Sequence, residues 1–192
     1  MWPWEHLAVG YIAASLVVHL VWRRSPDAAT AVAIAIGSQF PDLIDKPLAW
    51  EFGVLSSGIS LAHSVFTVAV LCVAVASLAW WRGYPRVGVG FAVAYALHPP
   101  MDAVYPIVYG ESPSFEVLLW PLVTHVNDSG TGFFENFTYF LSRTVELASS
   151  PQGQAYVAFE VLLLGVAFAL WLYDGAPGLP RPHRRTYLLD DP

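Results

Sequence analysis

The sequence predicts an all-α fold, a polytopic membrane helix bundle with about five transmembrane helices. Of its 192 residues, 56% are hydrophobic and only 12% are charged, whereas a soluble domain carries about 25% charged residues. The apolar residues fall in long uncharged runs, which is typical of bilayer-spanning helices. Both observations exclude an ordinary soluble domain.

Five segments have the composition of membrane helices: residues 4–22, 28–40, 61–81, 87–98 and 155–173. Because the residue before a proline is biased away from helix, Phe40 is the predicted end of the second segment. That segment is short for a bilayer, which needs about 20 residues. It therefore either continues through Ile44 or is shielded by its neighbours.

The positive charges predict an orientation. Seven of the nine Lys and Arg residues lie at helix ends on one side: Arg23, Arg24, Arg82, Arg86, Arg181, Arg184 and Arg185. Only Lys46 and Arg143 lie on the other side. Since positive residues favour the cytoplasmic side, we predict a multi-pass plasma-membrane protein with its N-terminus outside and its C-terminus in the cytoplasm.

The domain plan follows from these segments. Residues 1–173 form a single membrane domain, and residues 174–192 form a cytoplasmic tail rich in Pro and Arg. An outer loop covers residues 103–154, and the aromatic and charged residues within 133–147 indicate a helix lying in the interface. Such a helix would cover a site or guide a lipid headgroup to it. Membrane lipids are therefore predicted partners, whereas the net charge of −6 argues against nucleic acid.

Metal-capable side chains gather at the predicted outer face, where the ends of four alternating helices meet. They are His6, Asp42, Asp45, His63, His98 and Asp102. Imidazole and carboxylate groups without thiolates suit zinc, manganese or iron. His19, about 20 Å further along the first helix than His6, falls at the inner end. The sequence therefore predicts a divalent-metal site at the outer face.

The spacing of His98 and Asp102 leaves two geometries open, because Pro99 and Pro100 lie between them. Either the helix ends at His98 and a new turn begins at the prolines, or the helix kinks there. Both geometries would allow convergence on one ion. A metal with an open position activates bound water, and Asp45 would either accept that water's proton or support a ligand.

An ordered set of short motifs resembles one family. The set comprises an N-terminal histidine, Phe-Pro-Asp-Leu-Ile-Asp, His63-Ser64 opening an apolar helix, His98-x3-Asp102 and Leu119-Trp120-Pro121. It covers residues 1–125 and looks like the membrane-bound metal-dependent hydrolase family, described as LexA-binding, inner-membrane-associated hydrolases. The resemblance implies a multi-span protein with a divalent metal, zinc first, held by His6, Asp42, His63, His98 and Asp102. Distant similarity to zinc-dependent phospholipase C implies hydrolysis of a phosphoester.

Two departures from the family pattern are visible. The family has Pro-Asp-x-Asp, whereas one extra residue precedes Asp45 here. Many members carry His-Arg-Gly before Thr-His-Ser, and the matching positions read Gly58-Ile59-Ser60. The missing His and Arg imply a smaller metal centre, weaker phosphate binding or lost activity.

Three functions are compatible with these features of the sequence. The first is a hydrolase acting on a lipid-like or surface phosphoester, which reaches the outer interface from the bilayer. The second is a non-catalytic metal-binding or interaction scaffold, favoured by the missing His and Arg. The third, an ion carrier, needs ionisable groups across the membrane, whereas the mid-membrane positions here are almost entirely apolar.

Overall fold

The computed structural model describes residues 1–124, 132–151 and 153–180, and this part of the chain is helical without strands. Its α-helices are α1 (Pro3–Trp22), α2 (Ala28–Trp50), α3 (Val65–Trp81), α4 (Pro85–Val104), α5 (Phe133–Ala148) and α6 (Gly153–Tyr173). Two short 3-10 helices follow α4, at Tyr105–Tyr109 and Phe115–Leu119. The predicted all-α class is confirmed.

Helix α4 lies at the centre of the bundle, where it packs against α1, α2 and α3. The core holds two clusters of buried residues, Tyr11 with Ala14, Ile34 and Ala94, and Ala33 with Phe91 and Tyr95. Small residues at these crossings let the backbones approach closely, as they do between membrane helices.

Among the described residues, two helices are long and apolar enough to cross a membrane, α1 and α6. Helix α3 is apolar but has only 17 residues. Helix α2 contains Asp42, Asp45 and Lys46, and such charges lower its hydropathy. Length and hydropathy therefore support two spans, and the five-span topology with its orientation stays a prediction.

The predicted end of the second helix at Phe40 is wrong. Helix α2 continues through Pro41 and Pro47 to Trp50, so Asp42 and Asp45 lie within a helix. Proline removes a hydrogen-bond donor from the backbone, and neighbouring helices can satisfy the acceptors that this leaves. The carbonyl that Pro41 leaves without a helical donor is that of Gly37, and the ring of His98, from α4, bonds the next carbonyl along, that of Ser38. Tertiary contacts therefore outweigh the local preference of proline.

Helix α4 also continues through its prolines. Pro99 and Pro100 lie inside a helix that ends at Val104, beyond the apolar run of residues 87–98. His98 and Asp102 are consequently one turn apart on the same helix face. The first of the two geometries, in which a new turn begins at the prolines, does not occur.

The third helix begins at Val65, four residues later than predicted. Ser64 caps it by accepting a hydrogen bond from the Phe66 amide at 3.3 Å. Three backbone amides before the cap donate to the Asp45 carboxylate instead of entering a helix: those of Ser60, Ala62 and His63, at 2.8, 2.9 and 3.2 Å. A buried carboxylate from α2 therefore determines the shape of this segment.

At the opposite end of the bundle, Asp174 joins the end of α6 to α1. Its carboxylate accepts hydrogen bonds from the Tyr11 and Ser15 hydroxyls at 2.8 and 2.7 Å and pairs with His19 at 2.6 Å. His19 therefore belongs to this contact, away from the predicted metal site. Of the predicted tail, residues 181–192 lie outside the described part of the chain.

Helix α2 begins at a capping aspartate in the same region. The Asp27 carboxylate accepts from the Thr30 amide at 2.9 Å and lies 2.9 Å from the Arg86 guanidinium. Burial alone would raise the pKa of Asp27, but the Thr30 and Arg86 contacts hold that pKa below its usual value. This cap ties α2 to the start of α4.

Gly37 sets the distance between α2 and α4. A Cβ atom there would lie 2.5 Å from the Phe91 carbonyl oxygen, which belongs to a helix backbone and cannot rotate away. We expect Gly37→Ala to lower the free energy of unfolding by about 1–3 kcal/mol through overpacking. Thermal unfolding in detergent measures this effect. Gly165→Ala in α6 is the control, because nothing lies within 4 Å of its Cβ position, and an unchanged Gly37→Ala protein would contradict the close packing.

Candidate metal centre

Four side chains from two helices and one connecting segment meet at one end of the bundle. Asp42 comes from α2, His63 from the residues before α3, and His98 and Asp102 from α4. One ligand atom of each lies within 4.8 Å of the others. Alternating helix direction brings these positions together, as the sequence predicted.

Three of the converging atoms have no hydrogen-bond partner in the described structure although they are buried. They are Asp42 Oδ1, His63 Nε2 and His98 Nε2. Buried polar atoms without partners are costly, and a carboxylate in such a place needs a donor or a cation. The cluster could therefore hold a divalent metal ion, which would satisfy all three atoms at once.

The tautomer of His63 follows from its neighbour on the other side of the ring. Its Nδ1 lies 2.8 Å from the Asp45 carboxylate, and a carboxylate can only accept, so Nδ1 carries the hydrogen. Its Nε2 then presents a lone pair towards Asp42 and Asp102, at 3.6 and 3.4 Å. A carboxylate behind a histidine in this way orients the ring and increases its strength as a ligand.

His98 is oriented by the same principle with a different partner. Its Nδ1 lies 2.6 Å from the Ser38 backbone carbonyl, which only accepts. Its Nε2 faces Asp102 and Asp42 at 3.2 and 3.6 Å. When the two imidazole rings are neutral, each therefore directs an unprotonated Nε2 towards Asp42 and Asp102.

His6 contacts the cluster from α1. Its ring stacks on that of His98 with 3.5 Å between centroids, and its Nε2 lies 3.1 Å from Asp102 Oδ1. The Met1 amine lies 2.5 Å from the same oxygen. These contacts orient Asp102 so that Oδ2 faces the two other histidines. The prediction that His6 is itself a ligand stays a prediction.

Lys46 completes the charge balance of the site. Its ammonium lies 2.5 Å from Asp42 Oδ2, one helical turn away, so the two oxygens of Asp42 have different environments. Oδ2 is paired with the cation, and Oδ1 faces the cluster. The structure therefore orients Asp42 without occupying the oxygen that faces the two histidines.

Asp45 lies behind His63 and is fully buried. Its oxygens accept three backbone amides in addition to the His63 ring. Of the two roles predicted for it, the geometry favours support of His63, because the ring stands between Asp45 and the centre of the cluster.

Sequence reasoning missed two partners of the site. The Ser38 carbonyl has no signal in the sequence, because every residue has a backbone carbonyl and only the fold selects one. Lys46 did have a signal, its spacing of four residues from Asp42 on a helix. The predicted ending of the second helix at Phe40 concealed it.

The structure therefore brings the predicted residues to one place, and their role as metal ligands stays a prediction. Asp42, His63, His98 and Asp102 form the cluster, His6 contacts it through Asp102, and Asp45 through His63.

The family described as YdjM inner membrane protein matches residues 1–177. No curated protein and no solved structure matches significantly. The matched range covers every residue of the candidate metal centre and both candidate spans. The chain therefore belongs to the YdjM inner membrane protein family and lies in the plasma membrane.

Proposed function

We propose that this protein is a membrane-bound metal-dependent hydrolase that cleaves a phosphoester of a lipid or surface molecule. The observation that carries the proposal is the pair of Nε2 atoms, on His63 and His98, held towards two carboxylates by bonds to their Nδ1 atoms. Zinc is the proposed metal, with manganese and iron as the other ions that suit these ligands.

The distances within the cluster support a small divalent ion. Neighbouring ligands of a tetrahedral zinc with bonds of about 2.1 Å lie about 3.4 Å apart. The four histidine–aspartate distances at the site are 3.6, 3.4, 3.6 and 3.2 Å. The four histidine–aspartate distances therefore match those around a bound ion, and the remaining pairs of ligand atoms lie within 4.8 Å.

The surroundings of the cluster favour catalysis over a purely structural metal. Asp42 and Lys46 line a cavity of about 420 Å³, so molecules from outside can reach one edge of the site. A bound metal would lower the pKa of its water and supply a nucleophile for the phosphorus. Lys46 would stabilise the phosphate charge, and Asp45 would act through His63 by holding its tautomer.

We further propose the five-span topology with the N-terminus outside. The site takes its residues from the start of α1, the second half of α2, the segment before α3 and the second half of α4. This alternation supports antiparallel neighbours, and the positive-charge bias supports the orientation.

The second candidate is a non-catalytic metal-binding scaffold. It is favoured by Gly58-Ile59-Ser60, which stand where many related hydrolases have His-Arg-Gly. No Arg from this segment is therefore available to bind a phosphate. The cations that the structure places beside the cluster are Lys46, against Asp42, and the Met1 amine, against Asp102.

Turnover by metal-loaded protein separates the two candidates. Purified protein is loaded with zinc or manganese and assayed with a chromogenic phosphodiester and phosphomonoester. We expect metal-dependent release of the alcohol that is lost in His98→Ala, with helix content unchanged by circular dichroism. Full metal occupancy with no turnover of either ester would favour the scaffold. Turnover that persists in His98→Ala would assign the activity to a contaminant.

A further inference from the structure

A cavity of about 420 Å³ opens beside the metal centre, between α2, the 3-10 helix Tyr105–Tyr109 and α5. Pockets of about 300–1,000 Å³ are the size that binds small organic ligands. Its polar end holds Asp42 and Lys46, and the remaining wall is mostly aromatic and aliphatic. A cavity with one charged end and one apolar body suits an amphiphilic ligand.

Helix α5 supplies the aromatic wall from a single face. Phe133, Phe137, Phe140 and Thr144 all line the cavity, and their spacing of four, three and four residues places them on one side of a helix. Across the cavity, α2 contributes Leu43, Pro47 and Trp50. The apolar face of α5 therefore covers the cavity.

Polar contacts hold α5 in this place. The Gly132 amide donates to the Trp50 carbonyl at 2.8 Å, and Arg143 lies 2.9 Å from the Glu111 carboxylate. The Thr144 hydroxyl accepts from Trp2 Nε1 at 3.0 Å. Since both ends of the helix are bound to other parts of the chain, the cavity is a feature of the fold.

The charged residues at the end of the cavity beside the metal cluster determine which ligand headgroup can bind there. Lys46 is the only lysine in the sequence, and its side chain is one-quarter exposed where it lines the cavity. It pairs with Asp42, which faces the metal cluster with its other oxygen. A divalent ion would offset the charges of Asp42 and Asp102, and the ammonium would then attract an anion.

From these observations we infer that the cavity binds the hydrocarbon chain of the substrate, a lipid phosphoester whose phosphate lies between Lys46 and the metal cluster. The inference rests on the proposed function and adds the substrate class and two specificity residues, Lys46 for the phosphate and Leu43 for the chain. The apolar wall would bind the chain by excluding water from it. A free phosphate would use Lys46 and leave the wall unused.

The test is photo-crosslinking in lipid nanodiscs with an alkyl phosphate that carries a diazirine in its chain. The same chain on a trimethylammonium headgroup controls for partitioning into the bilayer. We expect the phosphate probe to label peptides of α2 and α5 at the cavity. Labelling there by both probes alike would overturn the role of Lys46, and labelling spread evenly over the lipid-facing helices would overturn the pocket.

Matched variants sharpen the test. Leu43→Trp fills the cavity and Lys46→Met removes the ammonium while keeping the stem, and each should reduce cavity labelling about tenfold. Ile36→Trp is the control, because Ile36 is an exposed residue of the same helix that does not line the cavity. Full labelling of Leu43→Trp would overturn the inference.

Two further measurements separate this inference from the proposed function. Inorganic phosphate that prevents labelling as well as unlabelled alkyl phosphate does would identify free phosphate as the ligand and overturn the role of the chain. Turnover of a short water-soluble phosphoester is measured in the same preparations. Turnover without cavity labelling would overturn the pocket alone, whereas cavity labelling without turnover would support the pocket and overturn the hydrolase.

Discussion

His63→Ala and Asp102→Asn should each reduce bound metal from about one equivalent to background. Each variant removes an inward-facing ligand from a cluster whose four ligand atoms lie within 4.8 Å of one another. Loss of an orienting neighbour alone typically costs about 10–100-fold in metal affinity, so loss of a ligand itself should cost more. Asp102→Asn keeps the volume of the side chain, which limits the change in packing.

Elemental analysis of detergent-purified protein measures the occupancy. Asp27→Asn is the matched control, because this carboxylate caps the other end of α2, about 22 Å along the helix from Asp42. Metal should also raise the unfolding temperature of the wild type and of Asp27→Asn, since it binds the native state. Equal metal content in all four proteins would contradict the site, as would its absence from the wild type after loading with zinc, manganese and iron.

Asp45→Asn should weaken both the fold and the metal site. The carboxylate accepts three backbone amides and orients His63. An amide has one acceptor oxygen, and its NH₂ group would face donors that then lack a partner. Breaking a buried, hydrogen-bonded charge of this kind costs about 3–5 kcal/mol, and losing the ring's orientation should lower metal affinity about 10–100-fold.

Metal titration and thermal unfolding measure the two effects, again beside Asp27→Asn. Removing a helix cap lowers the free energy of unfolding by only about 0.5–2 kcal/mol, so Asp27→Asn should be destabilised less than Asp45→Asn. The outcome also distinguishes the two roles predicted for Asp45. Unchanged metal affinity with lost turnover would identify Asp45 as the proton acceptor. Unchanged metal affinity, turnover and thermal stability would contradict both roles.

The site residues were predictable because their chemistry and positions are local properties of the sequence. Asp42, His63, His98 and Asp102 each interrupt or border an apolar run, and ionisable groups in such places require a partner. Because successive helices run in opposite directions, the end of one helix and the start of the next lie at the same face of the bundle. No long-range contact is needed for that argument, so it survived the errors in the helix boundaries.

The boundaries themselves could not be predicted, because proline and aspartate act there through partners distant in sequence. Local preference disfavours a helix that continues through Pro41 or Pro99, but α2 and α4 pack against each other and both continue through their prolines. Asp45 likewise draws three amides away from the start of α3.

By itself, then, the sequence determined the helical class, the apolar character and the side chains that meet in the candidate metal centre, since composition, hydrophobic runs and ligand chemistry are properties of single segments. Only the tertiary structure decided which atom of each histidine faces the cluster, where Asp45 and Lys46 act, and that α5 closes a cavity beside them. Those features depend on hydrogen bonds and packing between segments up to 142 residues apart, such as Trp2 and Thr144, and no local pattern encodes them.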